Sequence, residues 1–311
     1  STSLTNLELL GGSGNVTIAN ALAGNTATTL NLTVDGVTNG TLDDGDVYTT
    51  LNVTTKYSGT IVAGTTVTSS TLANVTSTAV DDLNVSGDKV LVLTSTAGMS
   101  GLINVDVNGT AGLTGTFAAA TMKTINTEGT TGTTTVTFDA TKATYTGGAG
   151  VDAVTTSAIA PTKAIDLGAG DDKLTLASGT TAVTGAISGG ADSDTLSMVV
   201  ADVVIADADT AFSTLVTGFE VLELTGGSGV EAVDLSNMGI TDKITVATGT
   251  GTLTIADIAD NGLLTLTGDR AADTVVLTNT AFATPTDDVM NIAMTATAGF
   301  DGGTVSAANV E

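Results

Sequence analysis

The 311-residue sequence has no cysteine and no histidine. Nucleophilic catalysis by Ser-His-Asp or Cys-His arrangements is therefore excluded, and so is a disulfide framework. Zinc and copper are poorly served without these ligands, which leaves the hard, oxygen-seeking cations. Tryptophan is absent and aromatics make up only 3%. A compact globular core uses more aromatic bulk than that, whereas a narrow solenoid can be filled with stacked aliphatic side chains. Two prolines against 38 glycines suit a chain of strands and tight turns. Basic residues are scarce: 8 Lys and Arg face 33 Asp and Glu, a formal net charge of −25. Such a surface repels nucleic-acid phosphates and anionic lipid, and it repels itself unless cations bind. Mean hydropathy is +0.36, but no stretch approaches the run of about twenty apolar residues that a membrane-spanning helix needs. Neither a nucleic-acid partner nor membrane insertion is expected.

The most patterned stretch runs from Gly147 to Leu196. It reads Gly147-Gly148-Ala149-Gly150-Val151-Asp152-Ala153-Val154, then Leu167-Gly168-Ala169-Gly170-Asp171-Asp172-Lys173-Leu174, then Gly189-Gly190-Ala191-Asp192-Ser193-Asp194-Thr195-Leu196. Each copy is a glycine-rich turn with Asp at the sixth place and an aliphatic residue at the eighth. Asp152, Asp172 and Asp194 are spaced by 20 and 22 residues, about one coil of a β-solenoid per step, which would stack the three turns along one edge. Glycine permits the tight turn that aims backbone carbonyls at one point, and Asp adds an anionic oxygen. Calcium takes six to eight such oxygens, so two stacked turns suit it.

The first copy fits, at every fixed place, the Gly-Gly-x-Gly-x-Asp-x-aliphatic-x nonapeptide of calcium-binding repeats-in-toxin (RTX) proteins, and the segment resembles that family. The resemblance implies one Ca2+ between the carbonyls of Gly147 and Ala149 with Asp152 and those of Gly168 and Gly170 with Asp172. It implies a second ion between the Gly168 turn and the turn carrying Gly190, Asp192 and Asp194. The sequence departs from the family at Leu167, which replaces the first Gly of copy two, and at Asp192, which replaces the fourth-place Gly of copy three. Its copies also do not follow one another every nine residues. Two sites are expected, not a long row.

Residues 1–146 are Thr-rich. Leu30-Asn31-Leu32-Thr33-Val34, Leu51-Asn52-Val53-Thr54, Leu83-Asn84-Val85-Ser86 and Ile103-Asn104-Val105-Asp106-Val107 alternate aliphatic and polar residues, the period of a strand with one face buried. Their steps of 21, 32 and 20 residues match the coil length, except that the middle one implies an insertion. Thr side chains are expected to form ladders between these strands. Asp43-Asp44-Gly45-Asp46 reads as a solvated acidic turn, with a further cation site as the alternative. Gly11-Gly12-Ser13-Gly14 carries Val16 where the carboxylate belongs, and reads as a turn alone. From Ala201 to Thr217 the pattern predicts a short amphipathic helix or bulging loop with Phe212, Leu215, Val216 and Phe219 on its apolar face, then the strand Glu220–Leu224. Strands are predicted at Ile244–Val246, Leu253–Ile255, Leu264–Leu266 and Val275–Leu277, the last three at half-coil steps of 11. Gly226–Glu231 and Gly268–Val275 look like decayed nonapeptides that keep the turn.

The expected fold is an all-β parallel β-solenoid (β-helix or β-roll) with minor helical insertions. Its parts are a Thr-rich solenoid over 1–146, an RTX-like roll over 147–200 and a degenerate solenoid over 201–311. No catalytic constellation is found, so the expectation is a non-enzyme. The composition, Phe219–Leu224 and the phrase Ile255–Gly268 resemble the calcium-dependent surface-layer proteins of Gram-negative bacteria, the caulobacter and campylobacter kind. That likeness implies type I export, calcium-triggered folding outside the cell, self-assembly into a cell-surface lattice and a polysaccharide as possible anchor. The alternative is a segment of a large secreted RTX adhesin. Ser1-Thr2-Ser3, without Met or an export signal, is expected of a mature product or a segment of a longer chain.

Overall fold

The computed structural model describes residues 4–18, 26–59, 67–179, 182–247, 249–268, 274–278, 289–295 and 303–308. The fold is an all-β, mostly parallel β-solenoid with a few short helical insertions. The chain divides into two units: residues 1–157 with 163–170, and residues 158–162 with 171–311.

In the first unit successive strands go alternately to two sheets. One sheet takes Asn6–Leu10, Thr29–Asp35, Thr50–Lys56, Asp82–Gly87, Asn104–Gly109, Thr124–Thr130, Thr144–Thr146 and Ile165–Asp166, each parallel to the next. The other takes Val16–Thr17, Thr41–Asp43, Ser69–Thr76, Val90–Ser95, Gly112–Phe117, Thr134–Phe138 and Asp152–Thr156. The period-two pattern sets the register, because a slip of one residue would turn every aliphatic side chain outward. Leu30, Leu51, Leu83, Val105, Ile125, Tyr145 and Ile165 stack one over the next in a single inward column. None of them is more than 1% exposed. Burial of each such side chain contributes about 1.5–3 kcal/mol before the entropy of ordering the chain is set against it. Most of the unit's few aromatics are spent inside: Tyr48, Phe117, Phe138 and Tyr145 are buried, and Tyr57 is half-buried.

The four alternating motifs of residues 30–107 are strands, as the sequence implies. The long 32-residue step holds one second-sheet strand, Ser69–Thr76, like the shorter steps; its extra length lies between Lys56 and Ser69, where residues 60–66 are outside the described residues. The outward ladder differs from the expected threonine one, because its rungs are mainly asparagines. The Asn31 amide donates to Asn6 at 3.1 Å, Asn52 to Asn31 at 2.8 Å and Asn84 to Asn52 at 2.9 Å. An amide carries donor and acceptor on one group and can hand a hydrogen bond from coil to coil.

In the second unit, Lys173–Thr175, Thr195–Val199, Val221–Thr225, Lys243–Val246, Leu263–Leu266 and Asn291–Met294 form one parallel sheet. Ile187–Ser188 pairs with Val216–Thr217. Ser228–Asp234, Thr250–Ala256, Thr274–Thr278 and Thr304–Ala308 form another sheet. The predicted strands of residues 220–277 are therefore present, and the 11-residue steps are half-coils.

The helical insertion is placed differently from the sequence expectation. Its main helix is Val200–Asp207, burying Val200, Asp202, Val203 and Ala206, and it packs on the strand Ser228–Asp234. Asp202 faces inward because its Oδ2 accepts the Gly179 amide at 2.8 Å. Only Phe212–Leu215 of the predicted apolar face is helical, and Val216 begins a strand. The three- and four-residue spacing arises there from a helix-to-strand junction that buries Phe212, Val216 and Phe219 and leaves Leu215 half-buried.

Candidate cation corners at the glycine turns

Each turn of the Gly147–Leu196 segment is built by close approach. Gly147 donates its amide to the Asp166 carbonyl at 2.7 Å. A Cβ on Gly147 would run into the Leu167 carbonyl, and one on Gly189 into the Gly218 carbonyl. Glycine is required at both places because backbone occupies the space a side chain needs. The Ala149 amide bonds to the Thr130 carbonyl at 3.1 Å. Gly168, Gly170 and Gly190 have φ of +96°, +129° and +110°, and Asp192 takes φ of +82° where the nonapeptide has its fourth-place glycine. An L-residue there is strained, though Asp tolerates the left-handed region better than most.

The three sixth-place carboxylates are all buried, with Asp152, Asp172 and Asp194 exposed by 1%, 2% and 0%. Two of them can be compared in detail. Asp152 opens the strand Asp152–Thr156. Its Oδ2 accepts the Tyr145 hydroxyl at 2.7 Å, and the amides of Gly148 and Thr134 also point at the carboxylate. Burial nevertheless raises its pKa to about 6, against those hydrogen bonds. Tyr145 shares its oxygen with Thr127 Oγ1 at 3.1 Å, and burial first, then the Asp152 charge, hold its proton on. This corner is a closed hydrogen-bond network.

Asp194 differs. Oδ1 accepts the Asp172 amide at 2.9 Å, but Oδ2 is buried with no hydrogen-bond partner. Burial raises its pKa to about 6, and the charges of Glu220, Asp171 and Asp192 push the same way. Neighbouring coils tie these acids to backbone: Glu220 Oε2 accepts the Asp194 amide at 2.8 Å, and Asp171 Oδ1 accepts the Ser193 amide at 3.1 Å. Lys173, next to Asp172, is engaged elsewhere by Glu223. A buried carboxylate oxygen short of a donor and ringed by like charge is costly unless a cation or a proton meets it. Among the described residues, however, no three acidic side chains stand close enough together to hold a metal ion as they are placed.

The other motifs form turns, and one of them also buries a carboxylate oxygen with no hydrogen-bond partner, Asp44 Oδ2. The acidic turn at Asp43–Asp46 is not wholly solvated, because Asp44 is 1% exposed and burial raises its pKa. Asp46 takes φ of +58° and accepts the Thr78 amide at 2.6 Å, stapling the turn to the next coil. Of the two decayed nonapeptides, Gly226–Glu231 keeps its turn only as far as Gly227. The strand Ser228–Asp234 then begins, and the Glu231 carboxylate lies against Gly227. Asp273 of the other copy lies outside the described residues. Sequence reasoning missed Glu220 altogether. It read as the first residue of a strand, and only coil stacking brings it to the Asp194 amide, 26 residues back.

The fold therefore defines a repeat protein of the β-solenoid class, a scaffold made of stacked coils. Compared with protein-family models and with curated proteins, the chain matches none. The functional reading rests on the fold and on the corner chemistry.

Proposed function

We propose that this chain is a structural component of a bacterial cell surface, a solenoid scaffold stiffened by calcium at its glycine corners and assembling with copies of itself into a surface-layer lattice. The observation that carries the reading is the Asp194 corner, where a solenoid of net charge −25 buries a carboxylate oxygen with no donor. Of the residues that the RTX resemblance names, Asp192 and Asp194 fit a cation best. Asp152 has its needs met by Tyr145 and backbone amides. Bound calcium supplies positive charge that neither the sequence nor the neighbouring coils provide. Because the corner exists only in the folded chain, calcium binding adds its free energy to stability. Low calcium leaves the carboxylates repelling one another, and millimolar calcium draws the coils together, which suits folding after export. The location that follows is extracellular, with a surface polysaccharide as the anchor and no enzymatic role.

Electron microscopy and scattering, in EGTA and then in calcium, test this. Calcium-dependent sheets are expected. Monomers that stay extended in calcium would instead favour a secreted adhesin segment, and identical behaviour in both conditions would remove calcium from the account.

A further inference from the structure

Resting on the self-assembly in that reading, we infer that copies of this chain join end to end, Ile292 and Met294 of one entering a cavity beside Leu9 and Val16 of the next. Asn6–Leu10 and Val16–Thr17 end the two sheets of the first unit, and Asn291–Met294 and Thr304–Ala308 end two sheets of the second. Among the described residues each of the four has a strand on one side only, so its other side offers backbone donors and acceptors to a further strand. Exposed edges are usually blunted by charge or proline. Three of these four contain neither, in a chain of net charge −25, and Glu8 of the fourth is paired with Lys56. The edges are thus places where two acidic copies can approach without like charges meeting.

The side chains at the two ends complement each other. Ile292 and Met294 sit in register with Leu264 and Leu266, which are fully buried, yet they stand 46% and 65% exposed. They are knobs of an inward column with no coil laid over them among the described residues. At the first unit's end, Leu7 and Leu9 are in register with the buried Leu32 and Val34 but are only half-buried themselves. A cavity of about 250 Å3 opens beside them, lined in part by Leu9, Leu10, Val16, Val37 and Leu72. A space of about 150 Å3 already admits benzene, so this one has room for a Met or Ile side chain. Pairing Asn6–Leu10 with its own copy about a two-fold axis would instead bring two Glu8 side chains together, which is unfavourable. The contact is therefore heterologous, knob to cavity, and each copy that adds presents the same two ends again.

Sedimentation velocity and electron microscopy of the full chain, in EGTA and in calcium, test this with Leu10→Glu at the cavity and Met294→Glu at the knob. Both positions are exposed, so both variants should keep the wild-type circular-dichroism spectrum and melting temperature. The wild type in calcium should form end-to-end chains, alone or within sheets, that lengthen with concentration, and each variant alone should stay monomeric. An equimolar mixture of the two variants should stop at 1:1 dimers. The Leu10→Glu copy still offers its knobs, the Met294→Glu copy still has its cavity, and the two ends left over are both blocked. A mixture that stays monomeric, or either variant assembling as the wild type does, would overturn the contact, and so would a monomeric wild type. Monomers that retain an apolar small molecule in native mass spectrometry would assign the cavity to a ligand instead. Calcium-dependent sheets formed equally by both variants would overturn the contact and keep the surface lattice. Chains that form regardless of calcium and never widen into sheets would keep the contact and remove the lattice.

Discussion

Asp152 and Asp194 occupy the same place in two copies of one motif, yet their surroundings have opposite chemistry. Around Asp152 the neighbouring coils present donors, the Tyr145 hydroxyl and two backbone amides. Around Asp194 they present three more carboxylates and a single amide. The first corner satisfies its charge from within the protein, and the second leaves an oxygen for something brought from solution. A glycine-turn motif thus fixes where a carboxylate sits. The residues stacked above and below decide whether it serves as a structural acceptor or as a cation ligand.

The largest expected effect would show where the two corners stop differing. Gly147→Ala and Gly189→Ala each force a side chain into a backbone carbonyl, and each should cost about 3 kcal/mol, read from denaturant midpoints. If either were harmless, the close stacking described here would be wrong. Calcium at a hundredfold excess over its dissociation constant should add about 2.7 kcal/mol per site. That gain should vanish in Asp194→Asn and survive in Asp152→Asn, as thermal melts would show. Tyr145→Phe takes away the donor facing Asp152 Oδ2 and should cost about 1–3 kcal/mol. The loss should be the same in calcium and in EGTA.

Acid provides a gentler probe. Both carboxylates have folded-state pKa values raised to about 6, above the ordinary value of about 3.9. The native state therefore holds these protons more tightly than the unfolded chain does. In EGTA, stability should rise as pH falls from above 6 towards 4, and be lost as pH climbs back through 6. Asp194→Asn should flatten that slope, and calcium should flatten it at Asp194 alone. The smallest effect belongs to the outer ladder. Asn52→Ala breaks two rungs and should cost about 0.5 kcal/mol, independent of both pH and calcium.

The repeating Leu-Asn-Leu-Thr-Val phrases made the strands of the first unit readable, since period-two alternation has one structural meaning once a core is needed. The coil length was readable for the same reason: a solenoid repeats its turns at the interval at which the chain returns to the same edge. The helix at Val200–Asp207 was harder to read, because Ala201–Asp207 carries a weak apolar pattern and is held inward by a long-range bond from Gly179 to Asp202. Asp44 misled in another way. Asp-Asp-Gly-Asp looks solvated in one dimension, and the burial of its second carboxylate follows from coils that lie far off in sequence.

What the sequence determined alone was periodic: strand identity, coil length, the places where backbone must pass backbone and only glycine fits, and the surplus of negative charge. These depend on neighbours a few residues apart or on composition, and linear order contains both. The tertiary structure alone decided which carboxylates receive donors and which receive further charge. Tyr145 lies seven residues from Asp152 and Glu220 lies 26 from Asp194. Stacking turns those intervals into contact, and electrostatic fate depends on distance through space.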